Sequence, residues 1–348
     1  MPLRKIYLEL TNRCNLNCAI CYRQSWNEEH VDLSPELYRK ISNEIKQSTT
    51  IDSIVLGGIG EPTCSNLIET VIKDHSNLHL TLTTNGITLS DSLKEHIING
   101  INILIISIDG LYDNFAKIRG TNLEGVLENI RQLNQLKKEY NHKDNSLTIG
   151  IQFVMSKDNI SDLFELIDLA SDLQVNRLIL SNLLPQTQEN ASKILYQKYN
   201  NHEMRQLINK ASNYALRKGI TLTIPNYELK TERRCDFIEN NSMVITASGD
   251  VTPCYRLSHS YQEYVFGRKK RVDKYSFGNL KQQSLKEIWE NSNYVNFRNT
   301  VFSNRYPSCI DCDYVDGCDL VNDTTTDCYA GTPSCADCLW ARKFTLCP

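Results

Sequence analysis

The sequence predicts an α/β fold: a partial (β/α)6 barrel, open on one side, with a C-terminal extension built on cysteines. Three observations predict it. Short β-branched or aliphatic runs recur through about the first 185 residues, amphipathic helical patterns fall between them, and nine of the thirteen cysteines follow residue 230. Repeated strand–helix units specify a parallel sheet with helices outside. In such folds ligands gather at the C-terminal ends of the strands.

The expected strands are 5–10, 53–57, 79–84, 103–108, 147–154 and 177–181. Each is a short run of strand-forming residues. A helix starts at Ser34-Pro35-Glu36, with Ser as N-cap and Pro at the first helical position. A second covers 123–140, where Val126, Leu127, Ile130, Leu133, Leu136 and Tyr140 keep helical spacing. A third covers 160–172. A long helical stretch from Asn190 to Lys218 joins the barrel, residues 1–218, to the extension, residues 219–348. There, Ser242 to Cys254 reads as a hairpin turning at Ser248-Gly249-Asp250.

The chain has 348 residues, 41% of them hydrophobic, which suffices for one large domain and a smaller one. A net charge of −3 gives no reason to expect nucleic acid. The basic run at 267–271 reads as a solvated loop. Lys5 leads directly into the first strand, which argues against a signal peptide. The longest apolar run, Ile103 to Ile108, is too short to span a membrane. The expected location is therefore the cytoplasm, where many cysteines argue for metal rather than disulfides.

The loop after strand one carries Cys14, Cys18 and Cys21, spaced C-x3-C-x2-C. A four-iron cubane takes four ligands, and this loop supplies three. One iron is left open, and an open metal position is where chemistry takes place. A structural zinc would need a second cysteine or histidine pair nearby. Strand two ends in Gly57-Gly58-Ile59-Gly60-Glu61-Pro62, strand three in Thr83-Thr84-Asn85-Gly86, and strand four in Ser107-Ile108-Asp109-Gly110. Alone, each is an ordinary turn. Cys64, beside the glycine loop, reads as a small buried hydrophobe.

Together, the cysteine loop and these strand ends resemble the radical SAM superfamily, with its TIM-like partial barrel. The resemblance implies a [4Fe-4S] cluster held by Cys14, Cys18 and Cys21. Its open iron is chelated by S-adenosylmethionine (SAM), which one electron cleaves to a 5'-deoxyadenosyl radical. It further implies SAM contacts from Gly58, Gly60, Glu61 and Pro62 at the amine. Asn85 joins the polar rim. Ser107 and Asp109 face the ribose or methionine end, and Arg119 pairs with the carboxylate. Ser181 and Asn182 are further rim candidates. Ile20 departs from the superfamily habit of an aromatic residue before the third cysteine.

The later cysteines are Cys235, Cys254, Cys309, Cys312, Cys318, Cys328, Cys335, Cys338 and Cys347. Two cubanes need eight thiolates, so one is spare. The spacings C-x13-G-x4-C from Cys235 and C-x2-C-x5-C from Cys309 resemble the SPASM domain, which carries auxiliary clusters. Phe277-Gly-Asn-Leu280 with Leu285-Lys-Glu-Ile-Trp289 adds to the likeness. The expected fourth cysteine after Cys318 is replaced by Asn322. The pairing expected from sequence joins Cys235 and Cys254 with Cys328. It leaves Cys309, Cys312 and Cys318 to share Cys335, Cys338 or Cys347. A ribbon-like zinc site from Cys309, Cys312, Cys335 and Cys338 is the competing reading.

Within the superfamily, the string from Leu8 to Trp26 and the tail from Cys309 to Pro348 resemble the tungsten cofactor oxidoreductase maturase group. That implies a tungsten-dependent aldehyde ferredoxin oxidoreductase-type enzyme, or its pterin cofactor, as target, and a low-potential donor of ferredoxin or flavodoxin type. Two alternatives stand beside it. One is an enzyme modifying a ribosomal peptide by thioether formation or dehydrogenation. The other is a non-catalytic Fe–S carrier or zinc-stabilised scaffold.

Overall fold

The computed structural model describes residues 1–140 and 147–346. Seven parallel strands cross the sheet in chain order: β1 (Lys5–Leu8), β2 (Ser53–Leu56), β3 (His79–Thr84), β4 (Ile103–Ser107), β5 (Thr148–Met155), β6 (Arg177–Asn182) and β7 (Thr221–Thr223). Side chains alternate between its faces. Leu8, Leu56, Leu82 and Leu104 lie side by side in register and share one core with Ile41, Ile97 and Ile130 of the flanking helices. Burying each such side chain is worth roughly 2 kcal/mol. Alternate positions on the other face, Val55, Thr83, Ser107, Gln152 and Ser181, line a cavity inside the barrel. The polar residues among them could not have been spent in the outer core.

The helix at Pro35–Gln47 forms as expected, with the Ser34 hydroxyl accepting from Leu37 N. The stretch 190–218 is not one helix. It is helical at Gln188–Ala191 and again at His202–Arg217. Asn200 adopts a positive φ of 57°, and the Asn201 side chain caps the restart by accepting from Met204 N at 3.3 Å. Two consecutive asparagines favour such a break over continued helix.

The sheet continues past residue 218. Besides β7 at one edge, β8 (Ser242–Ile245) lies parallel to β1 on its other side, from Lys5 opposite Ser242 to Leu8 opposite Ile245. β9 (Asp250–Thr252) pairs antiparallel with β8, completing the expected hairpin. β10 (Tyr261–Val265) and β11 (Arg268–Val272) form a separate hairpin. β12 (Gly278–Asn279) adds to β9 and closes the ten-stranded order. Among the described residues, no helix is long and apolar enough to cross a membrane.

The basic run at 267–271 is not a solvated loop. Phe266 and Gly267 both take positive φ, 50° and 85°, the backbone of a tight two-residue hairpin turn. That turn folds the run into β11. Alternation then exposes Lys269 and Arg271 and buries Lys270.

One buried ion cluster ties the extension to the barrel. His259 sits between Glu28, 2.8 Å from Nδ1, and Glu9, 3.2 Å from Nε2. Burial alone would lower its pKa. The hydrogen bonds to Glu28 and Glu9 outweigh that and raise it to about 9. A folded pKa above the unfolded value of 6.5 stabilises fully below pH 6.5, and the stabilisation is lost as pH rises through about 9. Its size is about 3 kcal/mol. Denaturant unfolding followed from below pH 6.5 to above pH 9 should show stability falling by this order, and His259→Gln should flatten the fall. An unchanged slope in the variant would refute the clamp.

Candidate active site and cluster sites

The cysteine loop leaves the end of β1 and is fixed by its neighbours. Asn12 donates to Glu29 O at 2.9 Å and accepts from Val31 N at 2.8 Å. Arg13 pairs with Asp32 at 2.6 Å, and Arg13 O accepts from Glu61 N at 2.7 Å. Further along, Ala19 N donates to Ile118 O at 2.8 Å, and Asn190 Nδ2 donates to Ala19 O at 3.0 Å. Loop conformation is thus set by four separate segments.

Each sulfur receives an N–H. Leu16 N points at Cys14 Sγ at 3.4 Å, Arg23 N at Cys21 Sγ at 3.4 Å, and Arg119 Nη1 at Cys18 Sγ at 3.9 Å. Burial pushes the Cys18 thiol up to about 11, against the pull of Arg119, and pushes Cys21 up as well. Thiols so buried stay protonated unless a cation binds them. Donors aimed at sulfur, with the Arg119 and Arg23 charges acting on the thiols, fit an anionic thiolate set gripping iron.

These three cysteines line an open cavity with about 1220 Å³ of empty volume, on the face predicted for ligands. Gly58, Gly60, Glu61, Asn85, Ser107 and Arg119 also line it, as do Ser181 and Asn182. The glycines are sterically required. A Cβ on Gly60 would lie 2.2 Å from Thr11 O, and Gly58, at φ 144°, would place one 2.6 Å from Glu9 Oε2.

Pro62 and Asp109 are not part of the lining. Pro62 begins the short turn 62–64 and is buried behind the loop. Asp109 is paired with Arg119 and accepts from Val154 N at 2.7 Å. It therefore aims Arg119 rather than facing a ligand. Glu61 lines the cavity, but its carboxylate accepts from Thr84 Oγ1 at 2.6 Å, Asn85 N at 2.7 Å and Thr63 N at 3.2 Å. It stitches the end of β2 to the end of β3. Cys64 is only half-buried.

A second wall comes from the far end of the chain and had no signal in the sequence. Trp340, Thr345 and Leu346 line the cavity with Tyr255. Leu346 N donates to Ser181 Oγ at 3.1 Å, and Asn182 Nδ2 donates to Phe344 O at 2.9 Å. Gln152 Nε2 reaches Leu346 O at 3.3 Å. Ser181 and Asn182 thus anchor this tail. Cys347 lies outside the described residues.

Cys235, Cys254, Cys335 and Cys338 line one enclosed, largely apolar cavity of about 440 Å³. The structure thus groups Cys335 and Cys338, rather than the expected Cys328, with Cys235 and Cys254. Cys309 and Cys312, which the ribbon-like zinc reading joins to Cys335 and Cys338, do not line this cavity. Burial pushes the Cys235 thiol up to about 12 and raises the other three. Four such thiols fit only as ligands of a cationic core or as inert hydrophobes, and Arg256 in the wall argues for the former. Cys328 instead lies within electrostatic reach of Cys309.

The sequence profile of the radical SAM superfamily matches residues 8–170, and that of the SPASM iron–sulfur cluster-binding domain matches residues 235–313. The chain is 39% identical over 353 residues to the tungsten-containing aldehyde ferredoxin oxidoreductase cofactor-modifying protein of Pyrococcus furiosus, covering 99% of this chain and 97% of that protein. It is 26% identical to a probable GTP 3',8-cyclase of Saccharolobus islandicus, over 53% of this chain and 58% of the other. Two solved structures share the fold. Streptococcus suis SuiB bound to S-adenosylmethionine gives a TM-score of 0.62 at 17% identity, covering 91% of this chain and 72% of that one. Native anSMEcpe with bound AdoMet gives 0.60 at 18%, covering 90% and 87%. The superfamily's cofactors are SAM and a [4Fe-4S] cluster, joined in SPASM proteins by auxiliary clusters. The chain is a radical SAM enzyme with a SPASM region, and it belongs to the family of the Pyrococcus cofactor-modifying protein.

Proposed function

We propose that this enzyme matures a tungsten-dependent aldehyde ferredoxin oxidoreductase-type protein, acting on that protein or on its cofactor. The observation that carries this reading is near full-length identity of 39% to a protein described as modifying that cofactor. Cys14, Cys18 and Cys21 would hold the cluster of the open cavity, with Arg119 turned toward Cys18 and fixed there by Asp109. Gly58 and Gly60 let backbone approach the amine end of SAM, and Asn85 and Ser107 supply polar contacts on the wall. Bound together, cluster and SAM supply one-electron sulfonium cleavage and hydrogen abstraction from an unactivated carbon. Trp340, Thr345, Leu346 and Tyr255 would help to shield that chemistry from solvent. The electron enters from a low-potential donor of ferredoxin or flavodoxin type.

In this reading Cys235, Cys254, Cys335 and Cys338 hold one auxiliary cluster, and Cys309, Cys312, Cys318 and Cys328 hold the other. Cys347 is then the spare. A protein or peptide substrate suits the SPASM architecture, and two structural neighbours were solved with peptides bound.

Dithionite-reduced, anaerobically reconstituted protein should release 5'-deoxyadenosine from SAM, and Cys14→Ala, Cys18→Ala or Cys21→Ala should each reduce that release to background. Release that survives all three changes would sink the site. Wild-type protein should carry about twelve irons, four per centre. Cys335→Ser should lower iron toward about eight, whereas Cys347→Ser should leave the count unchanged. A normal count in Cys335→Ser and a reduced one in Cys347→Ser would reverse the ligand assignment. Co-expression with a tungsten-dependent aldehyde oxidoreductase, with and without this chain, tests the target: its activity should depend on the intact cysteine loop.

A further inference from the structure

Between the two sets of C-terminal thiols lies a network of five charged side chains, four of them buried. Arg256 Nη2 lies 2.5 Å from Glu263 Oε1 and 3.1 Å from Asp337 Oδ1. Arg268 and Lys270 each approach Asp337 Oδ2 at 3.2 Å. Arg256, Glu263, Lys270 and Asp337 are at most 2% exposed. Three cations face two carboxylates, which leaves one positive charge in excess. Taking ions out of water costs several kcal/mol each, and their mutual attraction rarely gives more than it loses. Solvent at the partly exposed Arg268 and burial, which lowers the Lys270 pKa, relieve part of this excess, and an anion beside Arg256 would offset the rest.

Its position says where that anion belongs. Arg256 follows Cys254 by two residues, and Asp337 stands between Cys335 and Cys338. Arg256 is itself part of the wall of the four-thiol cavity. Its Nη2 is engaged by the carboxylates, while its Nη1 is buried and has no hydrogen-bond partner among the described residues. The Arg256 charge acts on Cys254, Cys335 and Cys338, and those of Lys270 and Arg268 act on Cys309. A cubane held by four thiolates is an anion, and reduction makes it more so. Net charge, hydrogen bonds to sulfur and exposure set the potential of such centres.

We propose that Arg256, aimed by Glu263 and Asp337, is a tuning residue that donates an N–H to a sulfur of the centre held by Cys235, Cys254, Cys335 and Cys338 and raises that centre's reduction potential. The proposal rests on the ligand reading given above. A brace that merely holds β10 and β11 against the thiol loops would give no signed dependence of potential on charge, whereas electrostatic tuning does.

The test is a redox titration followed by electron paramagnetic resonance, on the full-length chain with Cys14, Cys18 and Cys21 changed to Ala so that only the C-terminal centres report. Glu263→Gln removes a negative charge at constant shape and should raise the midpoint. Arg256→Gln should lower it by at least the equivalent of a tenfold change in the reduction equilibrium, about 59 mV for one electron. Arg256→Lys should recover most of that shift. Iron and sulfide are counted on every variant. Unchanged midpoints in Glu263→Gln and Arg256→Gln at full iron content overturn the proposal. Should Arg256→Gln lose its iron, the sign of the Glu263→Gln shift decides, a rise supporting tuning and no rise refuting it. If Cys235→Ser and Cys335→Ser cost the parent no iron, the ligand reading fails first, visibly, and takes the proposal with it.

Discussion

One carboxylate, Glu9, joins everything that shapes the SAM-facing end of the barrel. It follows β1 directly and is 2% exposed. Its oxygens accept from Ile59 N in the glycine loop at 2.9 Å and from Ala247 N in the extension at 3.2 Å, and they meet His259. A buried carboxylate without partners would be expensive. With them, it forces the cysteine loop, the glycine loop and the SPASM region into one geometry. Gly58 has no room for a side chain because Glu9 occupies that space.

The parallel pairing of β8 with β1 extends the same logic. β1 is hydrogen-bonded on both sides, to β2 and to β8, and so sits inside the sheet rather than at an edge. An interior strand is the most constrained part of a sheet, and it is the strand that launches the three-cysteine loop. The SPASM region therefore does more than carry extra thiols. It holds rigid the strand on which cluster geometry depends.

Much of this was legible from residues alone. Strand and helix positions followed from apolar periodicity, since parallel strands buried on both faces read as continuous aliphatic runs. The three early cysteines and the glycine loop were legible because their spacing is local. What escaped was set by partners distant in sequence. Asp109 looked like a ligand contact because it ends a strand, but its role depends on Arg119 crossing to it. Glu61 ends a strand at the cavity, but that its oxygens also join β2 to Thr84 and Asn85 could not be read from spacing. The pairing of Cys335 and Cys338 with Cys235 and Cys254 spans about a hundred residues, and spacing rules do not reach so far. The run at 267–271 misled because its turn is Phe-Gly rather than the usual Asn-Gly, and charge count hides alternation.

The tail over the barrel mouth has a consequence for biogenesis. Trp340, Thr345 and Leu346 line one cavity with a loop more than three hundred positions earlier, and Leu346 bonds to Ser181 and Gln152. Contacts of that sequence separation form late, because a long stretch of chain must be ordered before they close. Docking of the tail requires β5 and β6 to be in place, because Gln152 and Ser181 are the groups that Leu346 engages.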